Sequence, residues 1–210
     1  MFPGEGLLEQ EARSPIQKRH QQLVKDLLLL GCKIGASPDG LLVHRTGSGS
    51  GIGKRDIIVE ALEVKNHSPF ARVSARDESA SLKVIDRTPP LEVPPLYVGQ
   101  LQLEMFCIGP HCRSAVFVRM TATRGASIMR VYRDDLYIEM MLIRIKKFYS
   151  SFVYSSVEPP EDFDMHHKDQ FSVSKAVQMT LKVTRSAEII ASIPQSAVQR
   201  GLPEWQPLLY

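Results

Sequence analysis

The chain has little of what would place it outside the cell or in a membrane. Only three cysteines, Cys32, Cys107 and Cys112, occur in 210 residues. They cannot all pair, and such sparse use points to a reducing compartment. Cys107, His111 and Cys112 lie close together but offer at most three ligands in a spacing of no standard zinc module, so the two cysteines read as ordinary thiols. No apolar run approaches the roughly 18 residues needed to span a bilayer, and Leu27-Leu28-Leu29-Leu30 is far too short. Met1-Phe2-Pro3-Gly4-Glu5-Gly6 has neither the basic segment nor the apolar core of a secretory signal. Net charge is small, a formal +3, which permits a nucleic-acid partner without arguing for one. There is no internal repeat.

What is present is an ordinary globular composition, 43% hydrophobic and 23% charged. The length fits one domain with an appendage, or two small domains. Ser14 with Pro15 behind it marks a helix start, and the helix runs to about Leu30 before Gly31 stops it. Pro38-Asp39-Gly40 is a turn. Leu41-Leu42-Val43 begins a strand, and the Gly/Ser-rich stretch from His44 to Lys54 reads as a hairpin connection. Ile57 to Leu62 is short, β-branched and apolar, a buried strand. A long Pro-containing surface excursion follows, with one short element around Leu82 to Ile85.

Helix formers run from Tyr97 to Cys107 and stop at Gly109-Pro110. Ser114–Thr121 and Ser127–Tyr132 form an expected hairpin around Arg124-Gly125. Asp134 to Phe148 is a helix with acids at its start, and with Arg144, Lys146 and Lys147 at its end, as the helix dipole prefers. An acidic linker then leads to a last helix from Ser172 or Ser174 to about Ile190. The order predicts a mixed α/β (α+β) layer, a central sheet flanked by helices. The expected division is a core over 14–150 and, over 151–210, a linker with a C-terminal helix and tail that carries Trp205 and Tyr210.

Chemistry enters at Glu63-Val64-Lys65, which ends the Ile57–Leu62 run. Alternate strand residues share a face, so Glu63 and Lys65 point the same way. With Asp39 at its turn, two carboxylates stand beside an ammonium. This is the donor set of a Mg²⁺ site for phosphodiester cleavage: carboxylates for the hard cation, Lys for the developing charge or the attacking water. Taken singly, each part has a plainer reading. Pro38-Asp39-Gly40 is a common turn, and Glu63 with Lys65 would be the solvated face of an edge strand. His44 and His67 read as surface residues beside the site rather than bases.

The conjunction is more specific. Gly35-Ala36-Ser37-Pro38-Asp39-Gly40-Leu41, then Leu62-Glu63-Val64-Lys65, then Tyr97-Val98-Gly99-Gln100-Leu101-Gln102, resembles the lambda-exonuclease/YqaJ-like viral recombinase family. That family is a branch of the PD-(D/E)XK nuclease superfamily, and the resemblance covers about residues 16–147 by order and rough spacing. It implies a restriction-endonuclease-like core and metal-dependent hydrolysis of DNA by in-line attack of water. The expected substrate is double-stranded DNA ends, in recombination or DNA processing. Mg²⁺ or Mn²⁺ would be held by Asp39, Glu63 and the carbonyl of Val64, with Lys65 orienting or activating water. Gln100 matches the family's helical glutamine, and Gln102 is a weaker second. The relatives' ring-shaped assembly makes a homo-oligomer an expectation, and a nuclear or organellar location would suit the chemistry.

The pattern departs from the family at three points. The family places a further metal-binding Glu upstream of the Pro-Asp turn; here Glu5, Glu9 and Glu11 are the candidates and Glu11 the choice. The Asp39–Glu63 connection is longer, and Asn66-His67 replaces the usual Cys-Pro. A lost ligand would leave the alternative, a catalytically degenerate nuclease fold that binds DNA or serves as a scaffold.

Overall fold

The computed structural model describes residues 14–46, 56–72, 82–161 and 173–199. Glu5, Glu9 and Glu11 lie outside them. So do most of the Gly/Ser connection, much of the Pro-containing excursion and of the acidic linker, and the tail with Trp205 and Tyr210.

The described chain falls into two compact units. One comprises residues up to Ile34 together with Asp135–Val173. Its first helix, α1 (Pro15–Leu29), begins as the sequence predicts. Ser14 Oγ accepts from Gln17 N while Gln17 Oε1 accepts from Ser14 N, which satisfies two of the helix's free donors. The second helix of this unit is Asp135–Phe148, and a single π-helical turn, Tyr149–Val153, continues it. Arg19 pairs with Glu139, and Asp26 with Lys146 at 2.5 Å. Lys146, one of the cations at the end of that helix, is thus occupied within its own unit.

The other unit, Gly35–Asp134 with Ser174–Tyr210, carries the sheet. Its strands are β1 (Gly40–Thr46), β2 (Asp56–His67), β5 (Cys112–Thr121), β6 (Gly125–Tyr132) and β7 (Glu188–Ile193), in the spatial order β1-β2-β5-β6-β7. A separate ribbon pairs β3 (Phe70–Arg72) with β4 (Leu82–Val84). All neighbours in the large sheet are antiparallel except β2 and β5. A parallel pair needs a crossover, and between these two strands lies the helix α2 (Pro95–Ile108), which packs across both. The architecture is therefore a mixed α/β layer around a five-stranded mixed sheet.

Ala61, Ala115, Phe117 and Met129 are register partners or share their parity, so they line one sheet face. They are buried along with Val98, Leu101 and Met105 of α2. Core burial thus presses α2 onto the C-terminal half of β2, the segment that carries Glu63 and Lys65.

The C-terminal segment differs from expectation. The helix over residues 173–186 stops at Ser186, and Glu188–Ile193 leaves it to become the edge strand β7. Ile189, Ile190 and Ile193 favour a strand, and pairing with β6 overrides the helical reading. Residues 174–199 belong to the sheet-bearing unit.

Candidate active site

Three elements of the sheet-bearing unit converge at the C-terminal end of β2. The register that pairs Gly40 with Leu62 brings Asp39, just ahead of β1, level with the Glu63-Val64 step. Asp39 Oδ2 accepts a 2.7 Å hydrogen bond from Val64 N. Glu63 and Lys65 point to one face, and the Lys65 ammonium pairs with Glu63 Oε1. On α2, Gln100 donates from Nε2 to Glu63 Oε1 at 2.6 Å. Asp39, Glu63, Val64, Lys65 and Gln100 are thus gathered at one place by two hydrogen bonds and an ion pair. The plainer reading of Glu63 and Lys65 is overturned: β2 is an inner strand, and Glu63 is 2% exposed.

The same amide nitrogen of Gln100 also donates to Glu104 Oε1 at 2.8 Å. Glu104, one helical turn further on, is fully buried. Sequence reasoning missed it. The available signal was its spacing of seven, four and three from Tyr97, Gln100 and Leu101, which puts an acid on a stripe otherwise facing the core. Burial, reinforced by the charge of Glu63, pushes the Glu104 carboxyl up to about 7 against the opposing pull of the Gln100 amide. The Glu63 carboxylate in turn holds the Lys65 ammonium above its ordinary range, with Asp39 and Tyr97 adding to the effect.

Gln102 takes no part. It is buried, and its amide accepts from Asp134 N at 2.9 Å and donates to the Tyr132 carbonyl at 2.8 Å. Two positions from Gln100 on a helix, it points elsewhere and holds the end of β6 instead of the site. His44 lies on the other sheet face with its Nε2 2.8 Å from the buried Glu60, which also accepts from Ser114 Oγ at 2.6 Å and Arg130 Nε at 2.8 Å. His67 is not a free surface residue; its Nε2 meets the guanidinium of Arg119.

Among the described residues, no group of three or more His, Cys, Asp or Glu side chains is arranged to hold a metal ion. The donor chemistry nonetheless fits a hard cation, because carboxylate oxygens are its preferred ligands. Glu63 Oε2 and Glu104 Oε2 are buried without a hydrogen-bond partner, and buried carboxylate oxygens ordinarily have one. Asp39 and Glu63, with the Val64 carbonyl, are the residues that would hold such an ion. Cys32 and Cys112 are buried thiols and Cys107 is exposed, none of them in a disulfide.

No family model, curated protein or solved structure matches the chain. The functional reading therefore rests on the residues themselves.

Proposed function

We propose that this protein is a metal-dependent deoxyribonuclease that hydrolyses DNA phosphodiester bonds. What supports the reading most is a single arrangement: Glu63 buried beside Lys65, steadied by Gln100 from α2, with Asp39 anchored to the intervening residue Val64. A buried carboxylate paired with an ammonium at a strand end costs desolvation, and perturbed ionisable clusters of this kind concentrate at functional sites. A Mg²⁺ or Mn²⁺ ion supplies Lewis acidity toward the phosphate and toward water. The chain's own residues have distinct tasks. Asp39 and Glu63 present oxygens to the cation, and Lys65 holds the water or meets the charge developing on the phosphate. Gln100 fixes the orientation of Glu63. The resemblance extends the reading to double-stranded ends in recombination or DNA processing, and to a restriction-endonuclease-like core.

The test is cleavage of linear and circular duplex DNA with Mg²⁺ or Mn²⁺, run beside Lys65→Ala. Metal-dependent loss of the linear substrate alone, abolished in the variant, is the expected result. Cleavage that persists in Lys65→Ala sinks the assignment.

A second reading draws on Asp39, whose carboxylate already binds the backbone of Val64. On this reading the chain keeps the fold as a DNA-binding or scaffold protein without full metal ligation. Calorimetric titration separates the two: Mn²⁺ binding that disappears in Asp39→Ala counts against the scaffold.

A further inference from the structure

Among the described residues, Arg119 is a buried cation with no anion in contact. It lies on β5 level with Lys65 on β2, and the two share a face. Only 3% of it is exposed. One terminal nitrogen donates to the Tyr97 hydroxyl at 3.1 Å, and the other meets His67 Nε2. The guanidinium carbon lies 5.2 Å from the Tyr97 ring centroid, and the ammonium of Lys65 lies 5.6 Å from the same centroid. Arg119 Nε is buried and has no partner among the described residues.

None of these contacts carries a negative charge. Burying a guanidinium costs several kcal/mol unless an anion or a full set of acceptors compensates it. Tyr97 and His67 offer one neutral acceptor to each terminal nitrogen and leave the Nε donor unsatisfied. Burial, with Arg119 and Arg87 adding to it, holds the His67 imidazole below its ordinary range, so it meets Arg119 as an uncharged acceptor. The neighbouring Lys65 is already matched by Glu63. Among the described residues, the buried positive charge left over in this corner belongs to Arg119, Arg87 being exposed.

We propose that Arg119, with His67 and Lys65 beside it, forms a phosphate-binding pocket adjoining the Glu63 site. A guanidinium edge presents two parallel donors spaced for a tetrahedral oxyanion, and charge-assisted bonds of this kind are the strong ones. A phosphate oxygen would replace the weak neutral acceptor His67 and take up the unused Nε donor. That an anion binds rests on the uncompensated charge; that it is a phosphate group rests on the nuclease reading. The phosphate can be part of a DNA strand or free in solution.

The experiment is metal-free calorimetry on the full chain, so that no cleavage is needed. Inorganic phosphate should bind the wild type, and the affinity should fall about tenfold or more in Arg119→Gln, the loss of one charge-assisted interaction. Duplexes with and without a 5′-phosphate identify the source. Equal weakening of both by Arg119→Gln assigns the pocket to a backbone phosphodiester, and weakening of the phosphorylated duplex alone to a terminal monoester. Unchanged duplex binding with lost phosphate binding assigns it to free phosphate.

Failure of the wild type to bind phosphate overturns the proposal, as does a folded Arg119→Gln that binds it unchanged or a preference for acetate. If Arg119→Gln does not fold, Arg119→Lys keeps the charge but loses the fork, and unchanged phosphate affinity in it also overturns the proposal. Phosphate binding without metal-dependent cleavage would sink the nuclease reading alone, and cleavage without Arg119-dependent phosphate binding the pocket alone.

Discussion

Glu63 and Glu104 accept hydrogen bonds from the same amide nitrogen, Gln100 Nε2, at 2.6 and 2.8 Å. Each keeps one further buried oxygen without a partner. Two carboxylates so close and so dry cannot both be charged cheaply.

The first expectation concerns stability and pH. The folded Glu104 carboxyl titrates at about 7, above its ordinary 4.5. Below pH 4.5 the group is protonated in both states and costs nothing. As pH rises to 7 the unfolded chain gives up the proton first, so folding loses stability, by about 3 kcal/mol once pH exceeds 7. Glu104→Gln should therefore raise the melting temperature of metal-free protein at pH 8 and change it little at pH 4.5. An equal shift at both pH values would contradict this assignment.

On the opposite sheet face the sign is reversed. Burial pushes the Glu60 carboxyl up, but Arg130, Ser114 and His44 outweigh it and hold the group below its ordinary range. This stability is present above pH 4.5 and is lost as pH falls through the lowered folded value. Arg130→Met, which strands the buried Glu60 charge, should cost roughly 3–5 kcal/mol in urea unfolding at pH 7. A cost under about 1 kcal/mol would show that Ser114 and His44 suffice to hold Glu60 without Arg130.

Gln100 and Gln102 should separate cleanly. Gln100 orients Glu63, and removal of such an outer partner typically lowers metal affinity or activity about 10–100-fold, so Gln100→Ala should do so with little change in fold. Among the described residues, Gln102 bonds the backbone of Tyr132 and Asp134. Gln102→Ala should cost roughly 2–4 kcal/mol, leaving backbone groups unpaired beside a small cavity, while cleavage per folded molecule stays at the wild-type level. Reversed phenotypes would refute the division of labour.

Asp39 is exposed, and its carboxylate accepts from Val64 N. Its loss should cost no more than about 1.5 kcal/mol of stability, yet Asp39→Ala should abolish both Mn²⁺ binding and cleavage. Unfolding curves and calorimetry on the same preparation measure the two effects. Retained Mn²⁺ affinity would remove Asp39 from the site.

Gly125 sits at φ +94° where β6 begins. A Cβ there would collide with the Ile193 carbonyl oxygen and lie 2.8 Å from Gln195 N. Gly125→Ala combines left-handed strain with overpacking, so it should cost roughly 2–5 kcal/mol and loosen β7 from β6. Unfolding by urea tests the magnitude, and hydrogen exchange at Ala191 and Ile193 tests the location.

Much of this fold is legible where a short stretch decides it. Ser14-Pro15 starts α1 by a cap that needs only Gln17 to complete it. Gly31, at φ +83°, ends that helix. The strand period puts Glu63 and Lys65 on one face whatever surrounds them. The same spacing logic places Glu104 one turn beyond Gln100, though its burial cannot be read from spacing. Residues 188–193 mislead because their strand character is realised only by pairing with β6.

By itself, then, the sequence determined the turn at Asp39, the shared face of Glu63 and Lys65, and the helix that carries Gln100, because each depends on residues within a few positions. Tertiary structure alone decided that β2 is an inner strand and that Gln102 turns away from the site. It also decided that Glu104 is buried beside Glu63 and that Arg119 is buried level with Lys65. Desolvation and strand register depend on partners from distant parts of the chain, and no local pattern records them.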